Sequence, residues 1–137
     1  MTLATYERRS FLRIVLSYQS GVPIYEQIKE QLKYSIISGE LPQGELLPSI
    51  RQLARDLKVS VITTTRAYGD LELEGYVSTV PGKGCYVQKI NNNIIREQYL
   101  KETENALLTA IKKGSMAGLS IMELHKLLDE MEGNINE

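Results

Sequence analysis

The stretch Ser60-Val61-Ile62-Thr63-Thr64-Thr65-Arg66-Ala67-Tyr68-Gly69-Asp70-Leu71-Glu72-Leu73-Glu74-Gly75 decides the fold, because two readings of it compete. Val61 to Thr65 is an unbroken β-branched run, which local propensity assigns to a strand. Against that, Ser60 is a good helix N-cap, Thr64, Ala67, Tyr68 and Leu71 recur at i, i+3, i+4 and i+7, and Gly75 supplies a stop. The periodicity overrules the propensity and predicts a helix. Threonine at an exposed helical position costs about a few tenths of a kcal/mol. Three of them in a first turn therefore ask for another role, and offering hydroxyls to a ligand is one.

Upstream, Leu47-Pro48 leads into Ser49, whose hydroxyl can cap a second helix while Gln52 completes a capping box; Leu53, Ala54 and Leu57 form its inward face. Leu41-Pro42-Gln43-Gly44 reads as a turn. Before it, Ile24, Ile28, Leu32, Ile36 and Ile37 follow Gly21-Val22-Pro23 at helical spacing until Gly39. Residues 1–20 read as a leader, loose over 1–10, with a short strand around Ile14, Val15 and Leu16 between Phe11 and Tyr18. Downstream, Tyr76–Val80 and Cys85–Gln88 are β-rich runs flanking Pro81-Gly82-Lys83-Gly84, a hairpin with Lys83 at its tip. Helix, helix, tight turn, helix, hairpin is the order of a winged helix-turn-helix, here over residues 21–89.

Asn91-Asn92-Asn93 reads as a linker, and residues 94–137 as a helical tail. Tyr99, Thr103, Ala106, Leu107, Ala110 and Ile111 make one amphipathic stripe that ends near Gly114. Ser120 and Glu123 form a capping box for a second helix carrying Ile121, Leu124, Leu127, Leu128 and Met131. The predicted fold class is mainly α with a small β-wing, a winged helix-turn-helix followed by a two-helix dimerisation hairpin.

At 137 residues and 42% hydrophobic content, the chain has material for one real core and a small appendage. Its formal net charge of -1 carries no global basic signature, but the charges are unevenly placed. From Leu47 to Tyr68, Arg51, Arg55, Lys58 and Arg66 face Asp56 alone, a local excess of three. From Asn91 onward five basic residues stand against eight acidic ones. That polarity suits a phosphate-facing module followed by one that avoids phosphate. Cys85 is the only cysteine, so no internal disulfide is expected and a reducing compartment fits. Neither a membrane-length apolar run nor a signal-peptide core is present, which points to the cytoplasm and to no membrane partner. His125 stands alone without ligand-spaced neighbours, and no nucleophile has a base partner. No metal, cofactor or catalytic residue is therefore assigned.

The residues also carry a resemblance. Leu47-Pro48-Ser49-Ile50-Arg51-Gln52-Leu53-Ala54, Leu57-Lys58-Val59-Ser60, Thr63, Arg66-Ala67-Tyr68, Leu71-Glu72, Glu74-Gly75-Tyr76 and Gly82-Lys83-Gly84 with Tyr86-Val87 resemble the DNA-binding signature of the GntR family. So does the entry Pro23-Ile24-Tyr25-Glu26-Gln27-Ile28. The match spans about half of the chain. With only about forty-five residues after the wing, the chain resembles the short YtrA-like branch, which implies a dimerising helical tail and repression of an own or neighbouring transporter operon. It departs from the commonest family pattern at Val61, where many relatives carry arginine.

The expected contacts to double-stranded operator DNA are these. Ser49 orients the start of helix two toward a phosphate, and Arg51 resembles the family arginine that holds guanine or clamps a phosphate. In helix three, Ser60, Val61, Ile62, Thr63, Thr65 and Arg66 are groove candidates, with Val61 or Ile62 packing on thymine methyls. Arg66 reaches a phosphate or pairs with Asp70. At the wing, Gly82, Lys83 and Gly84 approach the minor groove. Cys85 reads as a buried small hydrophobe rather than a redox sensor. Leu107, Ile111, Leu124, Leu127, Leu128 and Met131 are too many apolar residues to leave wet, so a homodimer is expected, with an inverted-repeat operator and recognition helices on the order of 34 Å apart. A winged helix that binds protein instead of DNA remains an alternative on topology alone. No small-molecule effector is specified by the residues.

Overall fold

The computed structural model describes residues 3–8 and 12–135. In order these form β1 (Leu3–Arg8), β2 (Leu12–Ser17), α1 (Ile24–Ile37), α2 (Ile50–Leu57), α3 (Val61–Leu73), β3 (Val77–Val80), β4 (Gly84–Val87), α4 (Asn92–Met116) and α5 (Ile121–Ile135). The chain divides into two units, Met1–Ile90 and Asn91–Glu137.

The β-branched run is helical. Ser60 Oγ accepts the Thr63 N–H at 3.0 Å, and the Thr64 hydroxyl donates to the Ser60 carbonyl at 3.2 Å, so the first turn is capped from within its own sequence. Thr64, Ala67, Tyr68 and Leu71 are buried, as the helical period requires. They meet Ile28 and Leu32 of α1 and Leu53 and Leu57 of α2 in one core, closed on another side by Ile14 and Leu16 of β2. Each such aliphatic side chain, fully buried, stabilises by roughly 1.5–3 kcal/mol. Tyr68 extends its hydroxyl 2.7 Å to the Pro48 carbonyl, which ties α3 to the entry of α2.

A charged clasp locks α1 to the end of α3. The buried Lys33 donates to Glu74 at 2.9 Å with its ammonium 5.2 Å above the Tyr76 ring, and Lys29 reaches Glu74 at 3.6 Å and Glu26 at 3.3 Å. Burial works against the Lys29 charge, but its hydrogen bond to Glu26 and the fields of Glu74, Glu26 and Glu30 outweigh it and hold the ammonium above the ordinary lysine value.

Leu3–Arg8, offered by the sequence only as loose leader, form a strand paired antiparallel with β2 from Leu3↔Ser17 to Arg8↔Leu12. The expected short strand is present as Leu12–Ser17; Phe11 and residues 1, 2, 9 and 10 lie outside the described residues. The other edge of β2 is satisfied by two side-chain amides. Gln31 accepts the Val15 N–H at 2.9 Å and donates to the Val15 carbonyl at 2.8 Å; Gln27, one helical turn earlier, does the same for Ser17 at 2.8 Å each. Glutamines at i and i+4 on α1 thus match alternate residues of a strand and stand in for a third one. Replacing Gln31 by Leu is expected to leave the Val15 backbone pair without partners and cost about 1–3 kcal/mol in chemical denaturation. Unchanged stability would show that this amide pairing carries no weight.

The wing joins β3 and β4 antiparallel, Val77↔Val87 to Val80↔Gly84. The segment before α2 pairs along β4: Leu46 bridges Tyr86, and the Leu47 N–H donates to the Cys85 carbonyl at 2.8 Å. At the tip the Lys83 N–H donates to the Val80 carbonyl at 3.0 Å, with Pro81 second and Gly82 third at φ 75°, the requirements of a type II turn. At Gly84, φ is 125°, which calls for glycine; a Cβ would also stand 2.8 Å from the terminal Cδ1 of Leu46, a side chain able to shift.

In the second unit, the expected linker residue Asn91 is a helix cap: its Oδ1 accepts the N–H groups of Asn93 and Ile94 at 3.1 and 3.3 Å, and α4 starts at Asn92. The helix runs 25 residues, roughly 37 Å. It turns through Gly118 at φ 80°, with the Leu119 N–H donating to the Gly114 carbonyl at 2.8 Å. The capping box of α5 is formed in both directions, Ser120 N–H to Glu123 and Glu123 N–H to Ser120, each 3.2 Å. Leu124 packs on Gly114, where a Cβ would lie 2.9 Å from Leu124 Cδ2.

Candidate nucleic-acid interface

Three pieces of the first unit converge on one face. The start of α2 contributes Ser49, whose Oγ accepts the Gln52 N–H at 3.1 Å, and Arg51, exposed as the second residue of the helix. The first turns of α3 contribute Val61, Ile62 and Thr65, all exposed, with Ile62 at 82%. An isoleucine so exposed on a helix whose opposite stripe is core has no intramolecular task. A groove of about 360 Å³ runs between these elements and the wing, lined among others by Ser49, Arg51, Thr65, Thr79 and Gly84.

Several site residues also make contacts within the protomer. Ser60 Oγ is occupied as a cap and also donates to Thr63 Oγ1 at 2.8 Å, so these two hydroxyls form a local pair and Thr65 is the freely presented one. Within the protomer the Arg66 guanidinium lies 3.7 Å over the ring centroid of Tyr25 on α1. Tyr25 entered the sequence reading only as part of a helix entry. No short-range pattern connects residues 25 and 66, so the pairing had no sequence signal. Lys58, between α2 and α3, is the one described non-glycine residue at positive φ (56°). A left-handed lysine costs about 1–2 kcal/mol, and here it keeps an exposed cation in the tight turn beside the face. Gly69, also missed, had a signal: a glycine in the middle of a helix.

Gly82 and Gly84 shape the wing tip, and Lys83 is exposed there. Cys85 is buried behind it; burial, the first cause, and the Glu72 carboxylate push its thiol above the ordinary value, with a contact to Thr79 acting against them. A thiol so placed stays protonated at neutral pH. Alkylation of native protein at pH 7 is expected to be at least about a hundredfold slower than in denaturant, as read by mass spectrometry. Comparable rates would contradict the buried position.

In the tail, Leu107, Ile111, Leu127, Leu128 and Met131 are exposed, with Leu107 at 48% and Leu128 at 55%. Leu124 is the exception among the six expected dimer residues: it is half-buried against Gly114 and so partly used inside the hairpin. His125 is exposed, and among the described residues no group of three metal-ligating side chains comes together. No helix among them is long and apolar enough to cross a membrane.

A buried three-helix core, a capped third helix with an exposed outer face and a glycine-tipped hairpin define a winged helix-turn-helix regulator. The model of the family described as bacterial regulatory proteins, gntR family, matches residues 24–87. The HTH-type transcriptional repressor YtrA of Bacillus subtilis (strain 168) is 30% identical over 122 residues, 89% of this chain and 94% of that protein. Among solved structures, a transcriptional antiterminator from Listeria monocytogenes EGD-e superposes with a TM-score of 0.71 at 33% identity, covering 90% of this chain and 92% of that one. YtrA from Sulfolobus acidocaldarius, a GntR-family transcription factor, gives 0.53 at 34% identity, covering 69% and 99%. The chain belongs to the GntR family of bacterial regulators, in its short YtrA-like branch, and its relatives are transcription regulators rather than enzymes.

Proposed function

We propose that this protein is a cytoplasmic, sequence-specific DNA-binding repressor that grips an inverted-repeat operator as a homodimer. The observation that carries the reading is the outer face of α3. Val61, Ile62 and Thr65 stand exposed on a helix anchored by four buried residues, with Arg51 lining the groove beside it and Lys83 exposed at the wing tip. Such a rod suits a major groove: Ile62 and Val61 offer apolar surface to thymine methyls, Thr65 a hydroxyl, and Arg51 a fork for guanine or phosphate. Arg66, held against Tyr25, adds a fixed cation at the edge. Ser49, Ser60, Thr63, Gly82 and Gly84 set backbone positions for phosphate approach.

Dimerisation is assigned to the exposed apolar residues of α4 and α5, which remain wet in a single protomer. Similarity to the transcriptional repressor YtrA supports repression; the genes proposed to be controlled are the protein's own operon or a neighbouring transporter operon. The test is a mobility shift on the promoter of its own gene, repeated across salt. Binding at low salt is expected, with a log-log slope of roughly -0.9 for each phosphate neutralised. Failure to shift that DNA at low salt would sink the proposal.

A further inference from the structure

We infer that Gly69 is a DNA-binding determinant: its missing side chain keeps open a channel through which one sugar–phosphate strand of the operator passes between α3 and the wing. This rests on the DNA-binding reading above and deepens it.

Gly69 sits in the interior of α3 on its exposed side. Glycine there is less favourable to the helix than alanine. Nothing among the described residues packs against it. A Cβ at Gly69 would meet no atom within 4 Å, whereas at Gly84 it would meet Leu46 at 2.8 Å and at Gly114 Leu124 at 2.9 Å. Packing within the protomer thus supplies no reason for glycine here; the same holds at Gly133 of α5, but of the two only Gly69 lines a groove beside the wing.

Its surroundings say where. Ile62, Thr65 and Gly69 fall at i, i+3 and i+7 on one stripe of α3, and Gly69 floors the groove of about 360 Å³ shared with Pro48, Ile50, Arg51 and Thr79. When a helix occupies the major groove and a wing tip the neighbouring minor groove, one backbone of the duplex separates them and must cross the protein between the two. The groove is chemically matched to that strand. Arg51 and the Thr65 hydroxyl suit a phosphate, and Pro48 and Ile50 suit the apolar face of deoxyribose. Glu72 is the sole acid in the lining, and its two carboxylate oxygens accept the Thr79 N–H and hydroxyl at 3.2 Å each. A side chain at residue 69 would project into this path.

The experiment compares wild type, Gly69→Ala and Gly69→Leu on a duplex that the wild-type protein enriches from a random-sequence pool, with thermal melting alongside. Alanine is expected to raise the melting midpoint by roughly 3–6 °C. Operator affinity is expected to fall about fivefold for alanine and more than about a hundredfold for leucine. Stability up and binding down separates an outside constraint from a packing role, which would move both together. Equal affinity of all three overturns this inference alone. A wild-type protein that enriches no duplex overturns it together with the DNA-binding reading.

Discussion

Replacing Arg51 and Lys83 together by alanine is expected to abolish operator binding while the fold and the dimer persist. Arg51 is exposed at the start of α2 and lines the groove beside α3; Lys83 is exposed at the tip of a turn closed by backbone alone. Neither side chain holds the core, so the effect on stability should stay within about ±0.5 kcal/mol. On DNA, a bidentate arginine is worth roughly 1–3 kcal/mol, and a two-fold dimer loses it twice, about 2–6 kcal/mol per operator. Loss of Lys83 adds a weaker, sequence-independent term and should flatten the salt slope by roughly 2 per dimer. Mobility shifts across salt, with thermal melting as the control, read both effects. Unchanged affinity would favour a winged helix that binds protein.

A tail variant carrying Ile111→Asp and Leu128→Asp should be monomeric in sedimentation and bind operator about 10²- to 10⁴-fold more weakly. Both side chains are exposed in the protomer, so the charges meet water there and leave the hairpin folded. In a dimer interface each would be a desolvated, unpaired carboxylate, present twice by symmetry. Once the two copies separate, the second half-site contact ceases to be intramolecular, and its effective concentration is lost. The winged unit keeps its own core of Ile28, Leu32, Leu53, Leu57 and Leu71 and should melt unchanged. A variant that stays dimeric would move the interface elsewhere.

The α3 helix shows which signal prevailed. Propensity over Val61–Thr65 pointed to a strand, while the cap at Ser60 and the spacing of Thr64, Ala67, Tyr68 and Leu71 pointed to a helix. The spacing was the better guide because it records what the core buries, and burial of Leu71 and its neighbours exceeds the small penalty of the threonines. Ser49 and the Ser120–Glu123 box were legible for a related reason: cap and capped group lie three residues apart. Candidate residues on α2, α3 and the wing were legible as a set. How each hydroxyl and guanidinium is engaged was not.

The chain's own order of residues thus determines the three helices, the serine caps of α2 and α3 and the wing turn, since each is specified by side chains within about four positions of one another. Tertiary structure alone decided that Leu3–Arg8 is a strand, because its partner strand and the Gln27–Gln31 pair that finishes the sheet come from later segments. It also decided that Arg66 rests on Tyr25 and Lys33 on Glu74, contacts spanning forty-one residues each. Long-range pairing of this kind depends on which faces the core brings together, and no local pattern encodes it.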